Sequence, residues 1–210
     1  MTEIEFGGLL EATAKKLGHE GLLRVRSFNY EAYSWHVLSG FTGGMVSQSD
    51  SPMGGLGLSP AFPVGASRKV MKAGEPILVD FGTCFHGYQA DETRMFSIGK
   101  MGRKFVDAYK ACQEIQDAVL EDTRPGADCE ALFLKTLPLA EKLGYKDNYL
   151  GPRRFQTHFI GHGIGVEIDE YPFLARGFDD MVMEAGMTFA FEPKLVFPEV
   201  GAVGIENTFF

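Results

Sequence analysis

Excess basic charge is missing from this 210-residue chain: 20 lysines and arginines stand against 28 acidic residues, for a formal net charge of −8. Nucleic acid and anionic membrane surfaces call for a concentrated positive patch, and the basic residues here are scattered, so neither is an expected partner. Long apolar runs are missing too. Stretches such as Ala131-Leu132-Phe133-Leu134 soon meet a charge, far short of the roughly 20 apolar residues that span a bilayer. The start, Met1-Thr2-Glu3-Ile4-Glu5, lacks the basic-then-apolar plan of a secretory signal. Cysteine is scarce and odd in number: Cys84, Cys112 and Cys129 have no metal-ligand spacing, which suits reduced thiols in a soluble, cytoplasmic protein. The glycines of Gly54-Gly55-Leu56-Gly57 and of Gly161 to Gly165 are not followed by the Lys-Ser/Thr pair of a phosphate loop. That excludes a nucleotide site. There is no low-complexity tract and no short-period repeat.

What is present is enough apolar content, 45%, for one compact domain over residues 1–210. The last residues, Ile205-Glu206-Asn207-Thr208-Phe209-Phe210, read as a strand with no closing turn, so a piece of a longer polypeptide is expected. A Thr2-x-x-Glu5 capping box opens a helix to about Leu17, with Phe6, Leu9, Leu10, Ala14 and Leu17 as its apolar side and Gly7 and Gly8 weakening it. Leu22 to Tyr33 alternates like a strand, and Ser39 to Gly65 is a long loop rich in glycine, proline and serine. Ile77 to Phe81 and Gln89 to Ile98 form a hairpin. Phe105 to Val119 is a helix, and a second runs from an Asp128 N-cap to Gly144. The chain then passes through Gly161-His162-Gly163-Ile164-Gly165 and closes with a hairpin, Met187 to Phe197 and Ala202 to Phe210. The order predicts an α+β domain, antiparallel sheet on one side and helices on the other.

The chemistry lies in acids that come in pairs. A tight turn around Phe85-His86 would set Asp80 opposite Asp91, where like charges destabilise a sheet unless a cation intervenes. Glu192 and Glu206 are arranged alike around Pro198-Glu199-Val200-Gly201, as a three-residue loop would place them. Both sit in apolar strand sequence, where a lone carboxylate is costly to bury. Four carboxylates and the imidazole of His162 make an oxygen-rich site suited to two divalent ions roughly 3.5 to 4 Å apart. The glycines around His162 predict a ring held at a tight turn. Thr93, two residues after Asp91, is placed to orient a ligand carboxylate. Arg94 points to the other face of a regular strand, where structural pairing competes with substrate contact. His36, His86 and His158 read as partly buried or loop histidines, and His19 as solvent-exposed.

This constellation resembles the family of Xaa-Pro aminopeptidases, prolidases and methionine aminopeptidases. The matching stretches are Val79-Asp80-Phe81-Gly82, Gly87 to Arg94, Gly161 to Glu167, Phe191-Glu192-Pro193 and Ile205-Glu206-Asn207-Thr208. The resemblance implies the pita-bread fold, a curved antiparallel sheet with hairpins in pseudo-two-fold pairs covered by helices. It implies that Asp80 chelates one metal, Asp91 and Glu206 bridge two, and His162 and Glu192 bind the second. Glu192 would also shuttle a proton while a bridging hydroxide attacks an amide carbonyl, which makes Glu192 and His162 the candidate catalytic pair. Manganese, cobalt or iron suits such ligands, with zinc also admissible. Peptides or small amides are the implied substrates, and a homodimer is one candidate assembly.

Two departures stand out. Asp169, in Glu167-Ile168-Asp169-Glu170, takes the place of an expected second histidine, and residues 40–65 hold no histidine before the first ligand strand. Asp169 is therefore a candidate substrate contact or partner of a ligand. The leading expectation is an Xaa-Pro dipeptidase or aminopeptidase-like hydrolase of an amide bond. The alternatives are a small-molecule amide or amidine hydrolase of the same fold and a non-catalytic interaction domain.

Overall fold

The computed structural model describes residues 1–25, 35–47 and 51–210. Helix α1 spans Glu3–Lys16, and its capping box is present: Glu5 N donates to Thr2 Oγ1 while Thr2 N donates to the Glu5 carboxylate. Its inner face differs from the predicted apolar side, since Leu9 and Leu17 are exposed and Glu3 is fully buried. The Glu3 carboxylate accepts hydrogen bonds from Ser39, Thr42 and Ser67, so the helix docks through an acid as well as through Ile4, Phe6 and Leu10, which pack against the cluster of Val37, Ile77 and Val79. Residues 22–25 form no strand, and 26–33 of the expected Leu22 to Tyr33 strand lie outside the described residues.

Strand β1 (Trp35–Ser39) leads into a 3-10 turn, Gly40–Gly44, and then the expected irregular loop. Strands β2 (Ile77–Phe85) and β3 (Tyr88–Phe96) form the first hairpin, and β1 adds antiparallel to the outer side of β2. Helix α2 (Arg103–Leu120) buries Ala108, Cys112, Ile115 and Val119 on one stripe, as its three- and four-residue spacing predicts. Helix α3 (Cys129–Lys142) starts where Asp128 accepts from Ala131 N, 2.6 Å, and carries Pro138 inside it. Both helices contribute to the main core together with Phe189, Phe191, Leu195, Phe197, Val203 and Ile205, α2 against the later strands Lys194–Phe197 and Gly201–Gly204 and α3 against α2 and the later strand Glu170–Ala175.

The chain continues through β4 (Phe159–Gly163) and β5 (Glu170–Ala175), a strand the sequence reading did not foresee. The closing hairpin is split at Pro193 into β6 (Phe189–Phe191) and β7 (Lys194–Phe197), answered by β8 (Gly201–Gly204) and β9 (Asn207–Phe209). Pairs Phe197↔Gly201 and Phe191↔Asn207 keep one register across the break, with the predicted three-residue loop at the tip. Among the described residues three antiparallel sheets result, ordered β1-β2-β3, β5-β4-β6-β9 and β7-β8. A bridge between Thr93 and Glu206, whose backbone N–H groups each donate to the other's carbonyl at 3.3 Å, stitches the first hairpin to the last. The α+β expectation of antiparallel sheet under helices therefore holds. No helix among the described residues is long and apolar enough to cross a membrane, and all three cysteines are free and buried.

Candidate metal centre

The first hairpin turns at His86-Gly87, both with positive φ (52° and 79°), the two-residue geometry that matches strand twist. Phe85 pairs with Tyr88, so Asp80 faces Thr93, and Asp91 faces Gly82. The direct Asp80–Asp91 opposition expected from a turn at Phe85-His86 is thus corrected to a two-residue offset. A slip of two keeps side chains on their original face, where a slip of one would have reversed them, so Asp80, Thr93 and Asp91 still share a face. Glu192 and Glu206 occupy the breaks between β6 and β7 and between β8 and β9, where the shared register sets them opposite each other. Pro193 cannot donate to a sheet, and the two carboxylates turn inward at that interruption.

His162 is not at a tight turn. It lies mid-strand in β4, paired with Phe173 of β5 and Ala190 of β6. Its flanking glycines serve close strand packing: a Cβ at Gly161 would collide with the Ala190 carbonyl, and one at Gly163 with Tyr171. His162 Nδ1 lies 3.0 Å from Gly163 O and 3.3 Å from Asp169 Oδ1, which leaves Nε2 facing Glu192 Oε1 at 3.5 Å and Glu206 Oε1 at 3.8 Å. A carboxylate behind a histidine fixes its tautomer and raises its basicity as a metal ligand, and Asp169 stands in that place. Ligand atoms of Asp91, His162 and Glu206 all lie within 4.8 Å of one another, a nitrogen and two oxygens converging as a divalent ion requires.

Thr93, fully buried, donates from Oγ1 to Glu206 Oε2 at 2.8 Å, the orienting contact anticipated for it. Thr208 Oγ1 accepts from Asp91 N, 3.1 Å. Arg94 binds the Glu206 carbonyl (2.6 Å), Asn207 Oδ1 (2.7 Å) and Glu92, so it ties strands together on the far side.

Three features escaped the sequence reading. Lys194 is 1% exposed, and its Nζ donates to Asp80 Oδ2 (3.0 Å), Glu206 Oε2 (3.0 Å) and Glu192 Oε2. The signal was a lone lysine in the apolar run Pro193-Lys194-Leu195-Val196-Phe197. His36 pairs across the sheet with Asp80, a neighbour set only by the docking of β1. His19, expected at the surface, is 9% exposed, and its Nδ1 accepts from Cys84 N at 2.9 Å. His86 and His158 are exposed and lie outside regular elements or at the hairpin turn, the loop alternative of their reading.

Burial dominates the electrostatics. It pushes Asp91 up to about 8, with the Asp80 charge adding to it, and lifts Glu206 well above the usual range with help from Asp91 and Glu192. It would raise Glu192 as well, but Lys194 and His162 outweigh it and hold that carboxyl at about 2. Against its own burial, Lys194 is held above the ordinary amine range by Asp80, Glu192 and Glu206. Burial lowers His36 to about 4 despite the nearby Asp80 charge. A buried site with this excess of carboxylates is one that a cation stabilises.

The fold and site define a class before any particular relative: an oxygen-rich candidate metal centre, on two hairpins and a central strand, in a pita-bread fold. All 210 residues match the model of metallopeptidase family M24, and the chain belongs to that family. It is 31% identical over 165 residues to the Xaa-Pro dipeptidase of Lactobacillus helveticus, covering 78% of this chain and 43% of that protein. A second similar protein, the Xaa-Pro dipeptidase of Pyrococcus furiosus, is 31% identical over 149 residues, 70% of this chain and 40% of that one. Among solved structures, the X-Pro aminopeptidase of Thermotoga maritima superimposes with a TM-score of 0.79 at 27% identity, over 99% of this chain and 50% of that one. The prolidase of P. furiosus gives 0.76 at 25%, covering 99% and 52%. The chain thus spans about half or less of the length of these relatives.

Proposed function

We propose that residues 1–210 act as the catalytic domain of a metal-dependent hydrolase of amide bonds, with Xaa-Pro peptides as the substrate class. The observation that carries this reading is the convergence of half-buried Asp91 with buried His162 and Glu206 in a carboxylate-rich cluster, in a chain whose curated relatives include Xaa-Pro dipeptidases. Asp91, His162, Glu206, Glu192 and Asp80 are the proposed ligand set. Manganese, cobalt or iron fits its oxygen-rich donors better than a sulfur-seeking structural zinc site would. Five donors would serve two ions, the number expected from the sequence; how many this chain holds turns on Lys194.

A divalent ion bound there supplies Lewis acidity toward a substrate carbonyl and toward water. The protein's part is positioning and proton traffic. Asp169 and the Gly163 carbonyl hold His162 so that Nε2 faces the acids, and Thr93 fixes the rotamer of Glu206. Glu192 stands between Lys194 and His162 Nε2, ionised and able to take a proton and return it to a leaving nitrogen. The three buried free thiols suit the reducing cytoplasm.

Hydrolysis of Xaa-Pro dipeptides by the full-length protein, after chelation and reloading with Mn(II), tests the reading. Glu192→Gln is expected to lower kcat by about 10²-fold or more, the usual range for a lost acid-base group. Turnover that is unchanged by chelator and by this substitution would refute it. Asp169 in the place of the expected histidine favours a second substrate class, small non-peptide amides, which the same assay separates.

A further inference from the structure

The four acids and His162 do not surround one point. They surround two, and Lys194 stands at one of them. Its ammonium meets Asp80, Glu192 and Glu206, so all three of its N–H donors have carboxylate partners. Glu192 and Glu206 each divide their oxygens: Oε2 of both accepts from Lys194, while Oε1 of both turns toward His162 Nε2. Carboxylates that bridge two ions in a binuclear centre would be disposed in the same manner. Here the bridge runs from an ammonium on the Asp80 side to the Asp91, His162 and Glu206 cluster on the other.

The lysine is built in. Its backbone pairs with Gly204 across β7 and β8, and a Cβ at residue 204 would lie 2.5 Å from Lys194 Cγ. Gly204 therefore clears the path along which the stem reaches the acids. The side chain is 2% exposed, and leaving the site would strand a charge in the core or require the hairpin to open.

Resting on the metal-site reading above, we infer that the Lys194 ammonium is a permanent occupant of one of the two cation positions, so the centre takes a single divalent ion on Asp91, His162 and Glu206. An ion placed at the position of Nζ would need carboxylate oxygens closer than the 3.0 Å seen from Asp80 and Glu206, since Mn- or Zn-sized ions bind oxygen at about 2.0–2.2 Å. It would also have to displace the ammonium.

The full-length protein, stripped with chelator, reloaded with excess Mn(II) and desalted, is analysed for metal content and by electron paramagnetic resonance. One manganese per chain with the six-line signal of an isolated ion is expected. Lys194→Gly, checked by circular dichroism for native fold, is expected to bind two and to replace the six lines with a spin-coupled spectrum; Lys194→Met serves as the folded alternative if the glycine variant does not fold. Two ions in the wild type overturn the inference and leave the hydrolase reading standing. So does a single ion retained in a folded Lys194 variant. A wild type that binds none overturns both.

Discussion

His36 lies across the sheet from Asp80 and within the field of Lys194 and Glu192. Burial favours its neutral form and lowers it from the ordinary 6.5 to about 4. Between those two values the unfolded chain binds a proton that the folded chain refuses, so stability falls as the pH drops from 6.5 toward 4. The full difference is worth about 3 kcal/mol, of which about 2 is lost between pH 7 and pH 5. Urea denaturation of the metal-free protein at those two pH values, compared with His36→Gln, is expected to show the variant lacking that increment of acid sensitivity. Equal pH dependence in both would show that His36 titrates normally. Nothing within residues 35–39 signals this role, because it arises from which strand β1 joins.

The glycines of the elements give opposed expectations that follow from where each backbone sits. Gly161 lies against the Ala190 carbonyl with no space for a Cβ, so Gly161→Ala must push β4 off β6 and move His162 with it. A cost of about 3 kcal/mol is expected, at the upper end for overpacking, with a fall in Tm on the order of 10 °C. Gly8, inside α1, has nothing within 4 Å of its missing Cβ, so Gly8→Ala is expected to stabilise by roughly 0.5–1 kcal/mol, the helix preference for alanine. Thermal melts of the two variants would contradict this account if Gly161→Ala were neutral. The elements also show where periodicity misleads. The spacing of Leu9 and Leu17 fits the same apolar stripe as Phe6 and Leu10, yet only the latter two pack on the core, and α1 is anchored beside them by Glu3, because Ser39, Thr42 and Ser67 satisfy that carboxylate while Leu9 and Leu17 stay in solvent. By contrast α2, whose apolar positions meet the β6–β8 surface, lies where its sequence puts it.

For the molecule as a whole, the buried carboxylates link metal binding to stability. Burial pushes Asp91 and Glu206 up, with the Asp80 charge adding to it at Asp91 and the Asp91 and Glu192 charges adding to it at Glu206, a cost that a bound cation removes. A ligand at 100 times its dissociation constant adds about 2.7 kcal/mol, which for a domain of this size raises Tm by about 5–10 °C. Saturating Mn(II) is expected to produce that shift in the chelated protein and none in His162→Ala. A wild-type melt unmoved by Mn(II), Co(II) and Fe(II) would remove the metal from this site. The linkage runs through three separated parts of the chain, since Asp91 comes from the first hairpin, His162 from the central strand and Glu206 from the last.

By itself the sequence determined the identity of the acids and of His162, the two hairpins, the two long helices and the family. Those depend on local pattern: alternation, helical spacing, turn residues and short motifs read in order. It also put Asp80 and Asp91 on one face in spite of a misplaced turn, because the pleat repeats every two residues. Tertiary structure alone decided the rest. It buried His19 and Glu3, brought His36 beside Asp80, turned Asp169 toward His162 and carried the Lys194 ammonium into the midst of three carboxylates. Most of those contacts join residues far apart in sequence, and the free energy that selects all of them comes from desolvation and charge pairing, which act on what the packed molecule surrounds rather than on what stands next along the chain.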